Sequence, residues 1–163
     1  MKPIYSILVP FVFCLWSCSG EQNNEPAYNT KASLPASFNC NSMGLKVITS
    51  SVNSKKHTMS TCYGNDIAVA SARAGKQPNY PDGALLTLIT WQQQEDPNWF
   101  GGNIPANIES VETIKLSAPA NLPSSGKYQK FTGKNLQEVA ADQIKDESSR
   151  INYILGLRAA VMP

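Results

Sequence analysis

Residues 80–91 read YPDGALLTLITW, a turn followed by a strand that is apolar on both faces, and this strand decides the fold. Pro81 presets φ at the second turn position and Gly83 accepts positive φ, so the chain reverses before Ala84. Leu85, Ile89 and Trp91 then fall on one face, and Leu86 and Leu88 on the other. A strand of that kind belongs in the middle of a sheet, covered on both sides.

Outward from it, residues 108–116, IESVETIKL, predict a second strand. Ile114 and Leu116 share one face, and Val111, Thr113 and Lys115 the other, so an antiparallel hairpin with residues 84–91 is expected. Residues 92–106 between them, QQQEDPNWFGGNIPA, read as a long polar loop. Its Trp99 and Phe100, beside Gly101 and Gly102, are expected to fold back as a lid on the core; the functional alternative is the edge of a ligand pocket with Trp91. Glu95 and Asp96 are sequence neighbours and read as a solvated loop tip.

Upstream, residues 44–52, GLKVITSSV, suggest a first strand. Residues 55–63 hold His57, the only histidine of the chain. Flanked by Lys56 and Thr58, it is more often a surface residue than a ligand or base. A short helix should open at Asn65, which caps free backbone N–H groups; Asp66 suits the positive end of the dipole, and Gly75 supplies a left-handed stop. Ile67, Ala70, Ser71 and Ala74 are expected to pack on a sheet.

Downstream, residues 118–126, APANLPSSG, form a Pro-rich connector, and residues 127–132 a short strand. From Leu136 to Ala159, apolar residues recur at steps of three, four and seven, which predicts a longer C-terminal helix. Asn135 and Glu138 have capping-box spacing, and Gly156 inside the helix would cost roughly 1 kcal/mol. The expected class is α+β: an antiparallel sheet of about four to five strands, a short helix and a longer C-terminal one.

The first eighteen residues, MKPIYSILVPFVFCLWSC, carry one basic residue, Lys2, and then an uncharged, mostly apolar run. That run is too short for a permanent membrane span and reads as a signal peptide over residues 1–17. Leu15-Trp16-Ser17-Cys18 resembles the lipobox of bacterial lipoproteins, so acyl chains on Cys18 are expected to tie the protein to a membrane of the bacterial cell envelope. A plain secretory signal is the alternative. Residues 18–37 are polar and read as a tether, with the domain over residues 38–163.

Cys14 leaves with the signal and Cys18 takes lipid, which leaves Cys40 and Cys62. In an oxidising compartment they are expected to pair as a disulfide, with two buried free thiols as the alternative. The net charge of +2 is too small for a nucleic-acid footprint.

The words TCYGNDIAVASARAG (residues 61–75) and NYPDGALLTLITW (residues 79–91), with a terminal RAAVMP, resemble the cytochrome P-460 domain family. The resemblance implies an exported, compact, β-rich protein. In that family it also implies a c-type haem held by a CxxCH motif near the C-terminus. This chain contains no CxxCH, and residues 148–163, SSRINYILGLRAAVMP, hold neither Cys nor His. No catalytic residue of the haem enzymes is therefore carried over, and no covalent cofactor is expected.

Three functional readings compete. In the first, the domain keeps the fold without covalent haem and acts as a membrane-tethered binding or accessory module, with Trp91, Trp99 and Phe100 lining a pocket for an unidentified protein or small apolar ligand. In the second, haem binds non-covalently through His57 or Met59 for redox or small-gas chemistry with nitric oxide or hydroxylamine. The third, a cofactor-free hydrolase, needs His57 as base and lacks a GxSxG signature. A zinc site is equally poor, because one His and two distant Cys lack ligand spacing.

Overall fold

The computed structural model describes residues 28–74, 79–117 and 126–160. Six strands make one antiparallel sheet in sequence order: β1 (Lys46–Asn53), β2 (Thr58–Gly64), β3 (Leu85–Glu95), β4 (Asn103–Leu116), β5 (Gly126–Thr132) and the two-residue β6 (Gln137–Glu138). Two helices, α1 (Asp66–Ala74) and α2 (Glu147–Leu155), complete an α+β fold. The strand beyond the expected four to five is the two-residue β6, too short to leave a period in the sequence.

The doubly apolar strand is central, as its composition demands. β3 lies between β2 and β4, and Leu86, Leu88 and Ile89 are all buried. Because side chains alternate, each face of the sheet carries its own core. On one face Ile48, Cys62, Leu86, Leu88, Ile114 and Leu116 pack beneath α1 and Ile154 of α2. On the other, Ile89, Trp91 and Val111 pack with Cys40 and Leu45, and with Ala32, Leu34 and Phe38. Ala32 and Leu34, which composition assigns to the tether, are thus part of a core, and the Trp91 Nε1–H donates to the Ala32 carbonyl at 2.9 Å.

Asn65 caps α1: its Oδ1 accepts from the Ala68 N–H at 3.0 Å and from the Leu85 N–H at 3.2 Å, while its Nδ2 donates to the Gly83 carbonyl at 2.9 Å. One side chain thus joins the helix start to the turn before β3. The packed face is Ala68, Val69 and Ala72, about one residue round from the expected one, and Ile67 is exposed. Gly64 makes room for this face. A Cβ there would lie 2.7 Å from Ile48 Cδ1 and 2.8 Å from Ala68 Cβ, so its absence lets the helix close down on β1. The expected stop at Gly75 lies outside the described residues.

The apolar period over residues 136–159 does not make one helix. Leu136 has φ +50 and packs on the Trp91 side of the sheet, whereas Ile144, Ile151 and Leu155 pack on the Leu88 side. Residues bound for opposite faces cannot share a helix stripe. The chain instead forms β6, a 3-10 turn (Ala141–Gln143) and the nine-residue α2, which ends at Gly156. Glu138 caps nothing; it accepts from Gln129 Nε2 at 2.7 Å.

The expected Cys40–Cys62 disulfide is not formed. Both thiols are free and buried, Cys62 in the core under α1 and Cys40 in the core under the N-terminal segment, with the sheet between them. A bridge needs Cα atoms within about 7 Å and converging Cβ vectors, which opposite faces deny. Burial pushes the Cys62 thiol up to about 12 and also raises that of Cys40.

Candidate functional site

Where α2 leaves the sheet uncovered, a polar cleft of about 430 Å³ opens above β1 to β5. Its floor follows from register: Ser60, Thr90 and Ser110 stand side by side on β2, β3 and β4, one pleat beyond Cys62, Leu88 and Glu112. The same face thus changes from aliphatic to hydroxylated within two residues. Thr58, Thr90 and Ser110 are buried, and Ser60 Oγ and Thr90 Oγ1 lie 3.1 Å apart in a hydrogen bond.

The wall is built on Glu112, a carboxylate only 1% exposed. Arg150 of α2 grips it in a fork: Nε donates to Oε1 at 2.9 Å and Nη2 to Oε2 at 2.5 Å. The Tyr128 hydroxyl donates to Oε1 as well. Burial pushes the Glu112 carboxyl up, but the hydrogen bonds from Arg150 and Tyr128 and the positive charges of Arg150 and Lys130 outweigh it, and the group ends below its ordinary value. Burial and the bond to Glu112 together raise the Tyr128 phenol. The guanidinium carbon sits 5.0 Å from the centre of the Tyr153 ring, so α2 supports its own arginine. Lys56 and Lys130 add charge at the cleft, opposed by Glu109.

None of these residues was singled out from the sequence, yet one signal is present. Glu112 shares its strand face with Ile114 and Leu116, both buried, and a carboxylate in a row of core residues demands a buried partner.

A second groove, about 620 Å³, lies at the β1–β2 hairpin, and His57 and Met59 both line it with Val52, Gln93 and Asn103. The two sequence-derived candidate ligands are thus brought together. His57 is exposed, with φ +51, and its carbonyl accepts from the Gln93 N–H at 2.8 Å.

The aromatic trio is not brought together. Trp91 is buried in the second core, whereas Trp99 and Phe100 are 74% and 104% exposed at the far end of the β3–β4 hairpin. Residues 92–106 form no long loop, because β3 runs on to Glu95 and β4 starts at Asn103. Trp99 and Phe100 are therefore held away from the core rather than folded onto it. Cys18 lies outside the described residues.

One antiparallel meander with a core on each face and a polar cleft beside the terminal helix defines the class, an α+β domain dominated by its sheet. Residues 43–151 match the family model of cytochrome P460, and the chain belongs to that family. No curated protein matches it.

That membership raises the question of haem. Covalent attachment needs two neighbouring thiols and a following His. Here Cys40 and Cys62 lie on opposite faces of the sheet, and α2 carries neither Cys nor His. The residues present do not fit a covalently held haem. The cleft also lacks a Ser–His pair, since the only histidine lines the other groove.

Proposed function

We propose that this protein is a lipid-anchored binding module of the cytochrome P460 family that works without covalently attached haem, and that its ligand occupies the polar cleft beside α2. The anchor reading is supported by the Leu15-Trp16-Ser17-Cys18 sequence after an apolar run. The ligand reading is carried by one observation: Glu112 is fully engaged from within the fold, so Arg150 is fixed at the cleft without its carboxylate partner being offered to solvent. The other guanidinium N–H groups and Lys130 then offer donors, beside hydroxyls of Thr58, Thr90 and Ser110 that can donate or accept, to a small ligand rich in oxygen acceptors.

A thermal-shift screen of small carboxylates, inorganic oxyanions and sugars tests this. The expected result is a stabilising compound whose effect disappears in Ser110→Ala and in Lys130→Ala. If every compound that stabilises the wild type stabilises both variants equally, the cleft is not the site.

A second reading, non-covalent haem, is favoured by His57 and Met59 sharing one groove. Titration with hemin should then give a Soret band that shifts in His57→Ala. An unchanged band in that variant, or no band at all, removes the reading.

A further inference from the structure

Trp99 and Phe100 are displayed, not merely exposed. Two successive turns frame them: the Trp99 N–H donates to the Asp96 carbonyl at 3.4 Å across Pro97, and the Gly102 N–H donates to the Trp99 carbonyl at 2.9 Å. In the second turn Phe100 and Gly101 are the corner residues, and Gly101, at φ +76, takes the left-handed position. The Asp96 N–H closes the base onto the Gly102 carbonyl at 2.9 Å. The loop therefore holds its apolar pair outward at its apex, where a free loop would let it collapse. Burying such side chains is worth roughly 1.5–3 kcal/mol each, so leaving both in water marks a contact surface.

The start of the described chain lies at the same end of the molecule. Asn29 Nδ2 donates to the Pro105 carbonyl at 2.6 Å, and Pro105 pairs with Gln93, two residues from the Glu95–Asn103 pair that closes the hairpin. Tyr28, one residue earlier, is 69% exposed. Cys18 is about ten residues upstream, a distance that extended chain spans in at most roughly 35 Å. An acyl group on Cys18 thus brings this end of the domain within reach of the bilayer.

We propose that Trp99 and Phe100 form a second, non-covalent membrane contact that seats the hairpin apex in the interfacial layer of the bilayer to which Cys18 ties the chain. The inference rests on the lipid-anchor reading. Trp is the side chain best suited to that layer, with an apolar ring and an N–H for the headgroups. Two aromatics alone bind weakly, but an anchor turns their insertion into an intramolecular event at high effective concentration. Glu95 and Asp96 beside the apex favour zwitterionic headgroups over anionic ones.

The test uses the full chain, processed in a bacterial envelope and reconstituted into phosphatidylcholine vesicles, some with bromine on the upper acyl carbons. Trp99 emission should shift to the blue and lose intensity with brominated lipid, and Trp99→Ala should abolish the loss, Trp91 being buried. Replacing a fraction of the lipid with phosphatidylglycerol should weaken the quenching. A parallel sample, with a hexahistidine in place of residues 1–18 on chelator-lipid vesicles, reads the apex without acylation. A protein mass lacking acyl chains sinks the anchor reading alone. Equal emission with and without bromine on the chelator vesicles, or quenching unchanged in Trp99→Ala, overturns the membrane contact itself.

Discussion

Arg150 and Glu112 form a two-point fork that joins α2 to β4 and, unlike the exposed Lys46–Asp66 pair between β1 and α1, rests on a buried carboxylate. Breaking it by Glu112→Ala leaves a half-buried guanidinium and the Tyr128 hydroxyl without their acceptor. A loss of about 2–3 kcal/mol is expected, less than for a fully buried pair because Arg150 keeps contact with water. Glu112→Gln, which retains an acceptor for Tyr128, should cost less. Urea unfolding of both variants checks the order.

Acid should weaken the same link. The folded carboxyl of Glu112 lies below its ordinary value of 4.5, so its contribution is fully present above that value and is lost as pH falls through the lower folded one. The wild-type thermal midpoint should therefore drop more between about pH 5 and pH 3 than that of Glu112→Gln. Parallel curves for the two proteins would show that other carboxylates govern acid unfolding.

Thr87 carries a buried hydroxyl with no hydrogen-bond partner among the described residues. Thr87→Val keeps the shape and removes the unpaired oxygen, and stability should rise by about 1 kcal/mol. Calorimetry on the pair of proteins decides it.

Gly64 leaves no room for a side chain between β1 and α1. Gly64→Ala places a methyl within 3 Å of Ile48 and Ala68, and a loss of about 1–3 kcal/mol is expected as the helix lifts. A companion Ile48→Val change should restore part of it, by chemical denaturation of the single and double variants.

The two thiols should behave as separate buried groups. Native protein should show no mass change on reduction at Cys40 and Cys62, and Cys62, with its thiol at about 12, should resist alkylation until the chain is unfolded. A two-hydrogen mass shift assigned to these two cysteines would show that they pair in solution.

What was legible in the sequence follows one rule. Elements whose signal is local were readable: the Pro81–Gly83 turn, the Asn65 cap and the doubly apolar β3 each depend on neighbouring residues. Elements decided by distant packing were not. The period from Leu136 to Ala159 is genuine, but its members serve two cores on opposite sides of the sheet, a division that spacing cannot express. The site was hidden for a related reason, since Arg150 reads as one polar residue of a helix until register places Glu112 beneath it. His57 and Met59 line one groove because they are two residues apart, and their meeting needs no tertiary information.

The strand order β1 to β6 means that every strand pairs with its immediate predecessor. A chain delivered N-terminus first can therefore pair each strand with the one before it without waiting for a distant strand, which lowers the entropic cost of each closure. Other contacts span the molecule. The Ala160 N–H donates to the Ile48 carbonyl at 2.9 Å, clasping the chain end to its first strand. Trimming residues 157–160 should leave the hairpins able to form while loosening the edge of the sheet at β1.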